Sequence, residues 1–276
     1  ERTAFTKMYK KAKEKGTEAI SMEYDIPQEE VEVLLPSLIV LNRLLKYTVN
    51  DSILLSNVLL SDAVMFEMLF PKEASFVVKA YEEFTLQSAT SIAERFGRDT
   101  GHISRVSSVA LEIYDKMKKL HGYKLRERTL LQVSAILQDI GKYVNVRNHA
   151  LLSYNTITNL DIVGINDHER LIIATVCYYH NGNIPSMDSP IYNQLSQEDR
   201  VMVSKLAAIL QISNAINTSH SPKFEQVSVN MKNGKLNIYL TTLKNINLEK
   251  WAFIAKTKLF REVYGLNATI IKRGVL

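Results

Sequence analysis

His102, Asp139, His149 and His180 carry lone pairs strong enough to hold a cation. Neutral imidazole and carboxylate are the usual protein ligands of divalent metals. Two amides, Gln138 and Asn214, stand among them along the chain. An amide can hydrogen-bond through both ends, but its oxygen is a poor neutral donor to a metal. Basic residues are interspersed: Arg95, Arg98, Arg105, Lys142, Arg147 and Lys205. Guanidinium forks match phosphate oxygens in pairs and an ammonium adds a point charge, so several of them converging would hold a polyanion without any metal. Plain alternatives stand beside these readings. The basic residues could be scattered surface charge, and His102, on an apolar helix face, could be a satisfied core histidine. Asp139 falls near the end of a helix, where a carboxylate is unfavourably placed and wants a metal or a cation such as Lys142 or Arg147. His149 and His180 lie close to loops and read as auxiliary ligands, phosphate donors or surface groups.

The elements that must position these groups are mostly helical. Residues 3–15 read as an amphipathic helix whose lysines (Lys7, Lys10, Lys11, Lys13, Lys15) form a solvated face or an anion-binding strip. Pro27 opens a second helix with Glu29 and Glu30 in its first turn, and Pro36 is expected to break or kink it. Residues 52–56 read as a short buried strand, and 62–69 as helix. Pro71 and Lys72 mark a boundary. Beyond it, His102, Val106, Val109, Ile113, Met117 and Leu120 form one helical stripe. A second stripe is Leu130, Val133, Leu137 and Ile140, closed by Gly141 as a left-handed stop. Asp167 is the expected cap of a third helix running to His180, which Asn181 and Gly182 terminate. Ser196 to Asp199 resembles a capping box that opens a long helix carrying Leu206, Leu210, Ser213, Asn214 and Asn217. After Pro222 the pattern alternates over 226–231 and 235–241 around Asn233-Gly234, the preferred sequence of a tight hairpin turn. A helix (248–264) and a closing strand (268–272) follow. The expectation is a mostly α chain with a small ββαβ tail.

Composition narrows the classes. The 276 residues are 46% hydrophobic, with no run near the ~18 apolar residues of a membrane span, so a soluble protein is expected. A single cysteine, Cys177, excludes an internal disulfide framework and a thiolate cluster, and suits a reducing cytoplasm. Net charge is +5, a mild bias towards anionic partners. The first residue is Glu1 and no secretory signal precedes it, so the sequence is read as the C-terminal piece of something longer.

Asp99-Thr100-Gly101-His102, Leu137-Gln138-Asp139-Ile140-Gly141, His149 with Ser153, Tyr179-His180, Leu206 to Leu210 and Asn214 to His220 together resemble one known family. They are similar to the C-terminal helical domain of the exopolyphosphatase/guanosine pentaphosphate phosphohydrolase family, which belongs to the HD phosphohydrolase group. Upstream, residues 34–40 match that family's leucine-proline-glycine-leucine junction, with Ser37 in place of glycine. Residues 56–63 are similar to the strand and loop that close its actin-like catalytic half.

The resemblance implies three parts: residues 1–70 as the end of an actin-like α/β subdomain, 71–220 as an HD-like helical domain, and 221–276 as a small ββαβ domain. It also implies a metal shell reading His, His-Asp and Asp. Gln138 and Asn214 depart from that shell, so its metal chemistry is expected to be eroded. The family's main active site lies in the actin-like half, nearly all of which is outside this sequence, so this chain alone is expected to be inactive. The expected role is to bind polyphosphate or a guanosine polyphosphate and to dimerise, with no specific nucleic acid, membrane or obligatory cofactor. The expected pocket is His102, Arg105, Gln138, Asp139, Lys142, Arg147, His149, His180, Lys205 and Asn214. The alternative is a working metal phosphohydrolase, with Mg, Mn, Fe or Zn held by His102 and Asp139.

Overall fold

The computed structural model describes residues 2–49, 52, 60–70, 75–219, 221, 223–232 and 234–274, the side chains of 62 and 75–78 aside. The chain divides into two compact units, Glu1–Pro71 and Lys72–Leu276.

The first unit is a helical hairpin followed by a short helix. Helix α1 (Arg2–Tyr24) is interrupted at Gly16, whose φ of 76° and ψ of 167° are non-helical. Helix α2 (Gln28–Leu45) starts after Pro27, and Phe5, Ala12, Ile20, Val31 and Leu38 form the shared apolar seam. Pro36 does not break α2, which runs through it. The seam on both sides of the proline, Val31 and Leu38, offsets the lost donor, and Ser37 Oγ donates to the Val33 carbonyl at 2.8 Å. Lys11 and Lys15 both pair with Glu23, so part of the N-terminal lysine strip is internally neutralised. Helix α3 (Leu60–Leu69) is present as expected. The strand expected over 52–56 lies largely outside the described residues.

The second unit is a helical bundle with a small sheet sharing its core. Helices α4 (Ser75–Arg95), α5 (Thr100–Lys116), the one-turn α6 (Lys118–His121) and α7 (Leu125–Leu137) come first. A 3-10 turn (Ile140–Tyr143) leads to α8 (His149–Ile157), α9 (Asp167–Tyr179), the one-turn α10 (Pro190–Asn193) and the central α11 (Gln197–Ile216). The expected stripes are the buried ones: Val106, Val109, Ile113 and Met117 on α5, then Leu130, Val133 and Leu137 on α7 with Ile140 beyond it. Leu120, half exposed, is the exception. Asp99 caps α5 by accepting from the Gly101 amide at 2.9 Å. The cap of α9 is Asn166 rather than Asp167. Asn166 has the extended backbone a cap needs, its side chain accepts from the Glu169 amide, and Glu169 reaches back to the Asn166 amide. Ser196 caps α11 through the Asp199 amide.

Strands β1 (Gln226–Lys232) and β2 (Lys235–Thr241) pair antiparallel across a turn in which Gly234 has a φ of 67°. Helix α12 (Asn247–Tyr264) crosses over to β3 (Asn267–Arg273), which pairs parallel with β2. Val229, Leu236, Ile238 and Leu240 of the sheet and Phe253 and Phe260 of α12 belong to the same apolar core as the helices, and α12 packs along α11. Among the described residues no helix is long and apolar enough to cross a membrane.

Candidate functional site

Three helix ends meet at the site. Helix α7 stops at Leu137 and the chain passes through Gln138 and Asp139 into the 3-10 turn. His149 is the first residue of α8, and His180 is the C-terminal cap of α9. The last carbonyls of a helix carry partial negative charge, so the ends of α7 and α9 favour a cation beside them.

Close packing fixes this junction. A Cβ on Gly141 would lie 2.3 Å from the His149 carbonyl oxygen and 2.5 Å from the Ser153 nitrogen. Only glycine lets α8 approach so closely. Its φ is not positive, so its role is clearance rather than the left-handed stop the sequence suggests. Ser153 Oγ accepts from the Gly141 amide at 2.9 Å and donates to the Gln138 carbonyl at 2.8 Å, tying α8 to the end of α7.

Asp139, His149 and His180 are all buried, and their ligand atoms converge. Asp139 Oδ1 lies 3.3 Å from His180 Nε2 and 3.6 Å from His149 Nε2, and the two imidazole Nε2 atoms are 3.3 Å apart. Each ring is held from behind: His149 Nδ1 donates to the Val146 carbonyl at 2.8 Å and His180 Nδ1 to the Cys177 carbonyl at 2.5 Å. Lys142 Nζ donates to Asp139 Oδ2 at 2.7 Å. Burial pushes the Asp139 carboxyl up, but His180 and Lys142 outweigh it and hold the group well below the ordinary carboxylate range. Burial and the neighbouring His180 push the His149 imidazole down.

Beside this cluster is a cavity of about 130 Å³ lined by Arg98, Asp99, His102, Gln138 and Asp139 with small and apolar neighbours. Gln138 is 2% exposed, and its Oε1 finds no hydrogen-bond partner among the described residues. The pairing of His102 with Asp139 expected for a metal does not describe the converging donors, which are Asp139, His149 and His180. His102 instead lines the cavity from α5.

The remaining expected residues scatter. Arg105 is 3.8 Å from Asp99 at the start of α5. Arg147 is exposed, and Asn214 is half-buried on α11. Lys205 points elsewhere: its Nζ donates to the His121 carbonyl at 3.5 Å and sits 5.0 Å from the Tyr123 ring centre.

One cation absent from the sequence reading stands by the site. Lys256 of α12 is half-buried, its stem lies 3.9 Å from a Cβ built on Gly182, and burial pushes its ammonium down while Asp139 holds it up and Lys142 opposes. Among the described residues it makes no hydrogen bond or ion pair. The signal was available: Ala252, Phe253, Leu259 and Phe260 are the buried face of α12, and Lys256 interrupts their spacing.

The arrangement combines a buried carboxylate with two imidazoles and two lysines, a setting able to hold a cation or an anionic oxygen. Residues 86–259, which include every member of the cluster and Lys256, match the family model described as Ppx/GppA phosphatase, domain III. The match covers well over half of the sequence, and the chain belongs to the Ppx/GppA phosphatase family.

Proposed function

We propose that this chain is the C-terminal region of an exopolyphosphatase-type hydrolase and that it grips a phosphate chain, of polyphosphate or a guanosine polyphosphate, while hydrolysis is carried out elsewhere in the enzyme. The observation that supports this most is Lys256. A half-buried ammonium costs solvation and is retained where an anion compensates it, yet Asp139 is already bonded to Lys142. A phosphate oxygen is the group this lysine lacks. Arg98, at the wall of the adjoining cavity, supplies a further cation along the same path.

The test is a titration of the purified protein with polyphosphate of fixed length at several salt concentrations. Affinity should fall steeply with salt, as for other linear polyanions that release counterions, and Lys256→Ala should weaken binding and reduce the logarithmic salt slope by roughly one unit. Salt-insensitive binding, or an unchanged slope in Lys256→Ala, would overturn the reading.

A second reading, a metal-dependent phosphohydrolase working without further domains, draws support from the convergence of Asp139, His149 and His180. It requires phosphate release from polyphosphate by this chain alone. The first reading expects none.

A further inference from the structure

We infer that the groove between α4, α5 and α7 binds a neutral polyhydroxylated ring, the ribose of a nucleoside or a free hexose. The groove has a volume of about 430 Å³ and shares Ile103 and Ile136 with the walls of the smaller cavity beside Gln138. Its role goes beyond the gripping of phosphate and does not depend on it.

Helix α5 carries two stripes. The apolar one faces the core. The helical repeat places Thr100, Ser104, Ser107, Ser108 and Leu111 on another, which lines the groove together with Gln132 of α7. Hydrogen bonding sets this second stripe apart. Elsewhere in the same unit the helical hydroxyls of Thr85, Thr90, Thr129, Ser134, Thr175 and Ser213 each donate to the carbonyl four residues back, at 2.8–3.1 Å. Ser107 does not. It is 7% exposed, and its Oγ has no partner among the described residues. The side chains of Thr100, Ser104, Ser108 and Gln132 likewise make no hydrogen bond among the described residues. A buried hydroxyl left unpaired costs free energy, and a ligand hydroxyl in the groove removes that cost.

The lining selects the chemistry of the ligand. No charged side chain lines the groove, so an ion entering it would lose hydration without compensation. A wholly apolar ligand would strand the hydroxyls. Each serine or threonine offers one donor and two acceptor lone pairs, and the Gln132 amide offers both as well. The matching molecule donates and accepts at several points around one small frame. Side chains at i and i+4 stand about 5–6 Å apart on a helix, comparable with the breadth of a single sugar ring. Ile103, Leu111 and Ile136 supply apolar surface for the carbon–hydrogen face of such a ring. The volume falls within the range of small-molecule sites.

The experiment is a titration of the full chain with uridine, glucose and cyclohexanol, read by amide NMR. None of the three carries phosphate, so the result is separate from that of the polyphosphate titration. Uridine or glucose should shift the resonances of residues 100–111 and Gln132 saturably. Cyclohexanol, a ring with one hydroxyl, should not. A response to uridine alone identifies a nucleoside, and a response to glucose identifies a free sugar. Ser107→Ala should weaken binding about 5- to 10-fold and also raise the urea midpoint, because it deletes an unpaired buried hydroxyl. A lowered midpoint with unchanged affinity would make Ser107 a packing residue and overturn the proposal. Ser104→Ala combined with Ser108→Ala, at two exposed positions, should weaken binding by a similar factor with the fold intact. No saturable shift of these resonances by uridine or glucose, equal shifts by cyclohexanol, or displacement of uridine by inorganic phosphate would each overturn the proposal.

Discussion

At the scale of single residues, Gly141 governs the site although it contributes no functional atom. A methyl group there would meet backbone at 2.3 and 2.5 Å, and backbone cannot swing aside as a side chain can. Gly141→Ala should therefore push α8 outwards and destabilise the protein by about 3 kcal/mol in urea melts. An unaltered midpoint would show that the junction is softer than its packing implies. The sequence shows Asp139, His149 and His180 only as separate donors, since the 3.3 Å approach of two rings depends on how three helix ends meet. It does show that Gln138 is an amide, and the structure places that amide's oxygen at the cavity wall with no hydrogen-bond partner among the described residues. Lys256 is legible in principle, as a charge at a position of α12 where helical spacing calls for an apolar group.

At the scale of elements, the join between α12 and the segment before β1 rests on a buried ion pair. Glu249 is wholly buried, and its Oε1 lies 2.9 Å from Lys223 Nζ. Burial raises the Glu249 carboxyl, but the bonds from Lys223 and Ser219 outweigh it and leave the group below its ordinary value. The same balance holds for Glu169 at the start of α9, where burial is outweighed by Arg126 of α7. Carboxyls depressed in the folded state stabilise it above their unfolded pKa, near ~4.3, and that contribution is lost as pH falls through the lower folded value. Urea midpoints should thus decline on acidification from about pH 4.5 downwards. Lys223→Ala should cost about 3 kcal/mol at neutral pH, because it strands a buried carboxylate, and should flatten the acid decline. A variant that melts like the parent at pH 7 would refute that assignment. Helices and strands are the most legible level here. Strict alternation over 226–231 and 235–241 and the stripes on α5 and α7 follow from periodicity, since a buried face must recur with the backbone's own repeat. The run through Pro36 is less so, because it depends on tertiary packing that a local rule does not see.

At the scale of the whole molecule, the two compact units have separate apolar cores. The second holds the larger core together with every residue of the cluster, so a chain of residues 72–276 should fold with a single cooperative transition. A broad, non-cooperative melt of that fragment would show that the first unit is needed. The sharing of one core between the helices and the sheet is hard to read from sequence. The change of texture after Pro222 suggests a separate piece, whereas the contacts of α12 along α11 depend on partners far apart in the chain.

The crossover between β2 and β3 also sets an order of events. Both imidazoles precede it and Lys256 lies within it, so a polypeptide emerging from the ribosome carries both rings before the ammonium beside them is made. A protease nicking the stretch between Thr241 and Asn247 would leave both imidazoles in place and put only the tether of that ammonium at risk.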